Sequence, residues 1–371
     1  MFRIKAKDKK TKARAGILQT KKGNIETPFF MPVATKASVK HISSLDLKEM
    51  KAGACISNAL ILSLRPGTET IRKLGGLGKF MNFNGINFTD SGGFQMYSKS
   101  IYLSSNDSGC CFKNPFSGEK VFITPEKNMQ IQKDMDSDVA MSLDEMPMYH
   151  YSKKEIKNAV RKTSLWAERC KKEHDKLWKS KKEKQLLFGI IQGGIYPELR
   201  EKSADDLVSL DFDGYSIGGL GLGETWKEEM EIVELCKKII PDEKPVYLMG
   251  IGNPVEILEA ISRGVDIFDS RMPTMSARRG TLFTSKGKLR ISNKKYETSK
   301  KPIDENCDCF ACKNYSRSYI RFQLLQKEGV GFRLASYHNL YFLQNLLMKA
   351  REAIKQNRFD EFFRKFKKDY K

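Results

Sequence analysis

The 371-residue chain is long enough to form one barrel-sized domain or two smaller ones. Its 66 Lys and Arg against 45 Asp and Glu leave a formal charge of +21, which suits a polyanionic partner such as nucleic acid. No apolar stretch approaches the roughly 20 residues of a membrane helix, and the basic start MFRIKAKDKKTKARAG lacks the apolar core of an export signal, so a cytoplasmic protein with no membrane partner is expected.

Taken in chain order, apolar runs that read as buried strands occur at 29–33, 54–57, 86–89, 139–143, 187–191, 215–217, 246–249 and 265–268. Segments with helical signals separate most of them. Thr124 and Pro125 open one helix. Ser152 with Glu155 makes a capping box for another, along which Ile156, Val160, Thr163, Ala167, Cys170, His174 and Leu177 recur at helical spacing. Strand and helix in alternation predict an α/β fold, a TIM (β/α)8 barrel, spanning 1–280. The charge run 171–184 reads as a solvated helix end and loop.

In such a barrel the rim at the strands' C-terminal ends carries the chemistry. Here those ends carry short polar side chains and glycines: Asn58, Asp90 in TDSGGFQ, Asp144 in SLDE, Gln192 in IIQGG, Gly218 and Gly219, Met249 and Gly250, and Asp269 in GVDIFD. Asp269, at the abrupt end of a brief apolar run, is the candidate nucleophile. Alone it reads more readily as a turn cap; the company of the other strand ends points to an active site.

After Gly280 the rhythm changes. LFTSKGKLRI predicts a hairpin turning at Lys286 and Gly287. Eight cysteines without an export signal argue against disulfides, and the cluster Cys307, Cys309 and Cys312 points to metal. From Leu340 to Ile354 the spacing predicts a closing amphipathic helix. The expected division is therefore barrel 1–280, metal-binding subdomain 281–339 and closing helix 340–371.

The set TDSGGFQ, SLDE, GIIQGG, SIGGLGLGE, YLMGIG, GVDIFD and CDCFAC resembles the bacterial-type tRNA-guanine transglycosylases, or queuine tRNA-ribosyltransferases, over nearly the whole chain. The resemblance implies exchange of the wobble guanine of certain tRNAs for a 7-substituted deazaguanine. Replacing a base without cutting the backbone needs cleavage of a glycosidic bond, which two carboxylates can perform through a covalent intermediate with retained configuration. By similarity Asp269 attacks C1′, while Asp90 protonates the departing guanine and deprotonates the incoming base. The family pattern makes Phe94 and Met249 the stacking faces; Asp144, Gln192 and the backbone of Gly219 and Leu220 read the base's edges. Three thiolates with His338 fill a tetrahedral shell, so one structural Zn2+ per chain is expected. The resemblance also implies a tRNA anticodon loop as partner and a homodimer with Tyr315 and Tyr319 near the contact.

The chain departs from the family pattern in places. The usual arginine of a PTR motif is Met275, leaving Arg271, Arg278 and Arg279 as candidate tRNA contacts; ALIL rather than TYHL follows Asn58; Met146 and Leu222 replace smaller residues beside the base pocket. Their bulk favours preQ1 over queuine as incoming base. The alternatives are a queuine-salvaging enzyme, a non-catalytic tRNA-binding partner subunit and an ordinary retaining glycosidase. Retention of Asp90 and Asp269 argues against the partner subunit, and the cysteine cluster and positive charge argue against the glycosidase.

Overall fold

A computed structural model describes residues 1–92, 100–179 and 183–370. Eight strands, Phe29–Pro32, Ala54–Asn58, Ile86–Asp90, Val139–Met141, Leu186–Ile191, Gly214–Ile217, Val246–Leu248 and Ile267–Ser270, form one all-parallel sheet. The first strand pairs with the last, Asp269 opposite Met31. An isolated bridge joins Val33 to Ile56, where the Ala34 N–H donates to Ile56 O at 2.7 Å, so the sheet closes on itself. The eight runs expected from sequence are these strands, shifted by at most two residues at either end. They are apolar throughout because a parallel strand in a barrel is covered on both faces.

The barrel interior is packed with side chains. Phe88 meets Phe29, Phe188 and Tyr247 edge-on at centroid distances of 6.1, 6.0 and 6.4 Å. Below them Phe2 and Leu18 join the same cluster from an antiparallel sheet of Phe2–Lys7, Arg14–Thr20 and Gly23–Thr27, which closes the N-terminal end of the barrel. Arg14 of that sheet is buried against Asp266, its Nε and Nη2 donating to the two carboxylate oxygens at 3.0 and 2.6 Å. The apolar pattern of the sequence predicts no strands there.

The helices start as their caps dictate. Ser152 and Glu155 form the capping box of Lys153–Trp178, and Thr124 caps Pro125–Asp134. Between the third and fourth barrel strands lies a second unexpected sheet, Tyr102–Asn106, Gly109–Lys113 and Lys120–Ile123. Buried Lys162 fastens it to the rim, donating to Ser105 Oγ at 2.6 Å and pairing with Glu145.

Past the barrel, three expectations are amended. The hairpin is present as Thr281–Thr284 and Gly287–Arg290, but it turns at Ser285 and Lys286, with Gly287 (φ +117°) already paired to Thr284. The helix expected from Leu340 begins at Gly329 and runs to Lys355, so its bounds straddle residue 340. It covers the first barrel strand, Gln344 donating to Phe30 O at 3.0 Å and Arg351 to Pro28 O at 2.8 Å, and it also carries His338. A further helix, Phe359–Asp369, follows it. No helix among the described residues is long and apolar enough to cross a membrane.

Candidate active site

The C-terminal ends of the strands open onto a cavity of about 440 Å³, a usual size for a small-ligand site. Asp269, Asp90, Asp144, Gln192, Gly219, Leu220, Met249 and Arg271 line it together, as do Met146, Leu222 and Met275. Phe94 lies outside the described residues. Arg278 and Arg279 are not among the lining residues: Arg278 folds back to donate to Thr274 O at 3.2 Å, and Arg279 follows the end of the Met272–Arg278 helix.

Asp269 sits on the last strand with both of its protein donors on one oxygen. Tyr247 Oη reaches Oδ1 at 2.6 Å and the Gly250 N–H reaches the same atom at 3.0 Å. Burial raises the pKa of this carboxyl and the two donors hold it down. Tyr247 belongs to the neighbouring strand and is itself fully buried, so its hydroxyl has to find a partner inside the barrel.

Asp90 is differently placed. Asn58 Nδ2 and the Gly92 N–H both donate to its Oδ1 at 2.8 Å. Asn58 is in turn fixed by the Ile61 N–H, which donates to its Oδ1 at 2.7 Å and starts a short helix. Burial pushes the Asp90 carboxyl up to about 7, against those two hydrogen bonds and with added repulsion from Asp269 and Asp144. A group that titrates near neutrality can both give and take a proton.

Asp144 and Gln192 form a polar edge. Ser91 Oγ donates to one Asp144 oxygen at 3.0 Å and Gln192 Nε2 to the other at 2.7 Å, while burial pushes the carboxyl to about 6. Gln192 Oε1 is buried without a hydrogen-bond partner. A Cβ on Gly219 would come within 2.4 Å of that oxygen, and Gly219 has φ +64°, so a side chain there would displace the Gln192 amide and strain the backbone. The edge is braced from behind: Asn128 donates to Ser91 O at 2.8 Å, and Gln132 both donates to Met141 O at 2.8 Å and accepts from the Met141 N–H at 3.0 Å. Such an array of donors and acceptors in one cleft suits a planar heterocycle with an amide-like edge.

Sequence reasoning missed Tyr247, the pairing of Asn58 with Asp90, and Glu224, which accepts from the Gly221 and Leu222 N–H groups at 2.7 and 3.0 Å. A signal for Tyr247 exists. It stands two residues before Met249 and so shares its side of the strand, and a tyrosine facing a barrel interior brings a hydroxyl that must be satisfied.

Away from the cavity, the ligand atoms of Cys307, Cys309, Cys312 and His338 all lie within 4.8 Å of one another. His338 Nδ1 is 3.8, 3.5 and 3.3 Å from the three sulfurs, and its Nε2 lies 2.6 Å from Phe283 O. That carbonyl holds the proton on Nε2 and turns the Nδ1 lone pair toward the thiols, as in ligating histidines. The cysteines are free, and the cluster can hold a metal ion. Asn339 ties its helix to the hairpin, accepting from the Phe283 N–H at 2.9 Å and donating to Thr281 O at 3.1 Å.

The family model for queuine tRNA-ribosyltransferase matches residues 8–371. Curated relatives named queuine tRNA-ribosyltransferase include one from Lysinibacillus sphaericus, 48% identical over 98% of this chain and 94% of its own length. Another, from Thermoanaerobacter sp., is 48% identical over 100% of this chain and 97% of its own. One from Bacillus pumilus is 47% identical over 98% and 94% respectively.

Proposed function

The chain belongs to the queuine tRNA-ribosyltransferase family, and from that premise we propose that it exchanges guanine at the wobble position of GUN-anticodon tRNAs for a 7-deazaguanine, preQ1 in preference to queuine. The observation that carries the reading is the pair of carboxylates lining one cavity with unlike surroundings, Asp269 with the Tyr247 and Gly250 donors on one oxygen and Asp90 held by Asn58 and Gly92 and pushed by burial to about 7.

In this mechanism Asp269 attacks C1′ of the target ribose. The C1′–N9 bond breaks, its electron pair leaves with guanine, and the proton on Asp90 neutralises the departing base. Tyr247 and Gly250 hold the attacking carboxylate in place and lower its basicity. The incoming base then gives its proton to Asp90 and displaces Asp269 from C1′, restoring both groups and retaining configuration. Asp144, Gln192 and the backbone at Gly219 and Leu220 select the base, because a carboxylate accepts from the N1–H and 2-amino group of guanine together and a base lacking them leaves buried groups unpaired. Met249 supplies one stacking face and Phe94 the other. Arg271, at the cavity mouth, contacts the anticodon loop where relatives use the arginine replaced by Met275, with Arg278 and Arg279 further out.

The cluster of three thiols and one imidazole fits zinc: Cys307, Cys309, Cys312 and His338 would hold the ion, which would cross-link the 307–312 segment to the Gly329–Lys355 helix and serve structure and not catalysis. The working form is a homodimer joined near Tyr315 and Tyr319, which stack at 5.3 Å with Tyr319 39% exposed. Incorporation of labelled guanine into tRNA tests the reaction. Asp269→Ala should abolish incorporation while tRNA still binds; near-normal exchange by that variant would overturn the nucleophile assignment.

A further inference from the structure

Arg200, on the Pro197–Val208 helix, is fully buried, yet its partners are backbone carbonyls, and Glu224 acts on it only through space. Its Nε donates to Gly194 O and its Nη1 to Ile191 O, each at 2.8 Å, and Nη2 reaches Gly219 O at 3.5 Å. A buried charge without an ion pair is costly, and an apolar side chain would fill the same space without that penalty. A guanidinium is the side chain whose rigid fork can reach three acceptors at once. Gly193 lets the helix approach: a Cβ there would come within 2.9 Å of the Arg200 backbone nitrogen and 3.1 Å of the Arg200 Cδ.

Ile191 ends the fifth barrel strand, Gly194 lies in the loop after it, and Gly219 lies in the loop after the sixth. In a trans peptide the C=O and N–H point in opposite directions, and the cis bonds of the described chain are at Thr27-Pro28 and Arg65-Pro66 only. Ile191 O accepts from the Gly218 N–H of the neighbouring strand at 3.0 Å as well as from Arg200, and on the far side of that peptide the Gln192 N–H donates to Ser203 Oγ of the Arg200 helix at 3.1 Å. Drawing Gly219 O toward Arg200 turns the Leu220 N–H to the opposite side. The two loops touch at the orphaned Gln192 Oε1 and Gly219.

We propose that Arg200 is a positioning residue for the base: it ties the turn that follows Gln192, through Gly194 O, to the loop of Gly219 and Leu220, through Gly219 O, and so fixes how the second loop presents the Leu220 N–H beside Gln192. The inference rests on the reading of the cavity as a guanine site. Arg200 touches neither the carboxylates nor Arg271, so its loss acts on base recognition and not on tRNA binding.

Steady-state exchange with full-length Arg200→Lys and Arg200→Gln tests this, with KM for guanine and for tRNA measured separately and folding followed by circular dichroism. The expected result is a guanine KM raised at least about tenfold with the tRNA KM within about twofold of wild type. An unchanged guanine KM in a folded variant, an equal rise in both constants, or loss of folding in both variants would overturn it, the last by making Arg200 a structural residue. Failure of the wild-type protein to exchange guanine at all sinks the guanine-exchange reading instead, so the two failures are distinguishable.

Discussion

Replacing Asp90 with asparagine should cost the enzyme its activity and make the fold more stable at high pH. The carboxyl is displaced from 3.8 to about 7, chiefly by burial. Each unit is worth about 1.4 kcal/mol, which sets a ceiling of about 4 kcal/mol on the strain of ionising it in place. The group opens on the cavity and shares its charge with water, and halving the ceiling gives about 2 kcal/mol as the working figure. The sign follows from which state holds the proton. Below the unfolded value both states are protonated and nothing is gained or lost. Between about pH 4 and pH 7 the unfolded chain ionises this carboxyl while the folded chain does not, so wild-type stability falls through that window and levels off above it. The amide of the Asp90→Asn variant would have no proton to lose, and its oxygen can take the same two donors from Asn58 and Gly92. Thermal melting of both proteins from pH 4 to pH 8 should show a gap that opens with pH and reaches a few degrees in favour of the variant. A gap that stays constant with pH, or a variant less stable than wild type at pH 8, would refute the claim that burial of this carboxyl sets its pKa.

Tyr247→Phe removes the hydroxyl that donates to Asp269 at 2.6 Å and leaves the Gly250 N–H in place. A hydrogen bond to a charged group contributes about 1.5–3 kcal/mol, so the acid limb of the kcat/KM profile should move up by about one unit and the rate at neutral pH fall about ten- to a hundredfold; an unshifted profile would show that the tyrosine does not tune the carboxylate. Metal analysis should find about one zinc per chain, and its removal by a chelator should unfold the 307–338 region and weaken tRNA binding; a metal-free protein that melts and binds like the untreated one would sink the structural role. Wild-type enzyme should prefer preQ1 to queuine by about ten- to a hundredfold in kcat/KM, because a clash in a packed site costs about 1–3 kcal/mol, and Leu222→Gly should narrow the gap. A wild-type preference for queuine, or no gain in queuine activity in that variant, would overturn the steric argument.

The barrel was legible because a parallel strand buried on both faces is written as an apolar run, and because its rim end breaks that run with a polar residue or glycine. The two antiparallel sheets were not. Phe2–Lys7 alternates buried Phe2 and half-buried Ile4 and Ala6 with exposed Arg3, Lys5 and Lys7, and Tyr102–Asn106 is largely exposed, so neither carries an apolar run. The long helix starts before its apolar spacing predicts, and its start is hidden in the sequence because Gly329 and Gly331 are poor helix formers. At Gly331 packing overrides propensity: a Cβ there would come within 2.8 Å of the backbone of Gln323 and Leu324, so glycine admits the close crossing of the preceding helix.

The same limit explains why the site could be located from sequence but its working parts could not be told apart. Asp90, Asp144 and Asp269 look alike in sequence, each a carboxylate ending an apolar run. What distinguishes them is the partner on the next strand or loop: Asn58 for Asp90, Ser91 and Gln192 for Asp144, Tyr247 for Asp269. These partners lie from 22 to 53 residues away along the chain. Strand order in a barrel brings consecutive strands side by side, so each carboxylate meets a residue at the matching level of its neighbour, as Asn58 stands opposite Asp90 in the register. The expected donors can therefore be sought at the aligned positions of the adjoining strand, and in this chain that rule would have recovered Asn58 directly. It would not have recovered Arg200, which reaches the rim from a helix and is fixed by carbonyls that any sequence would supply.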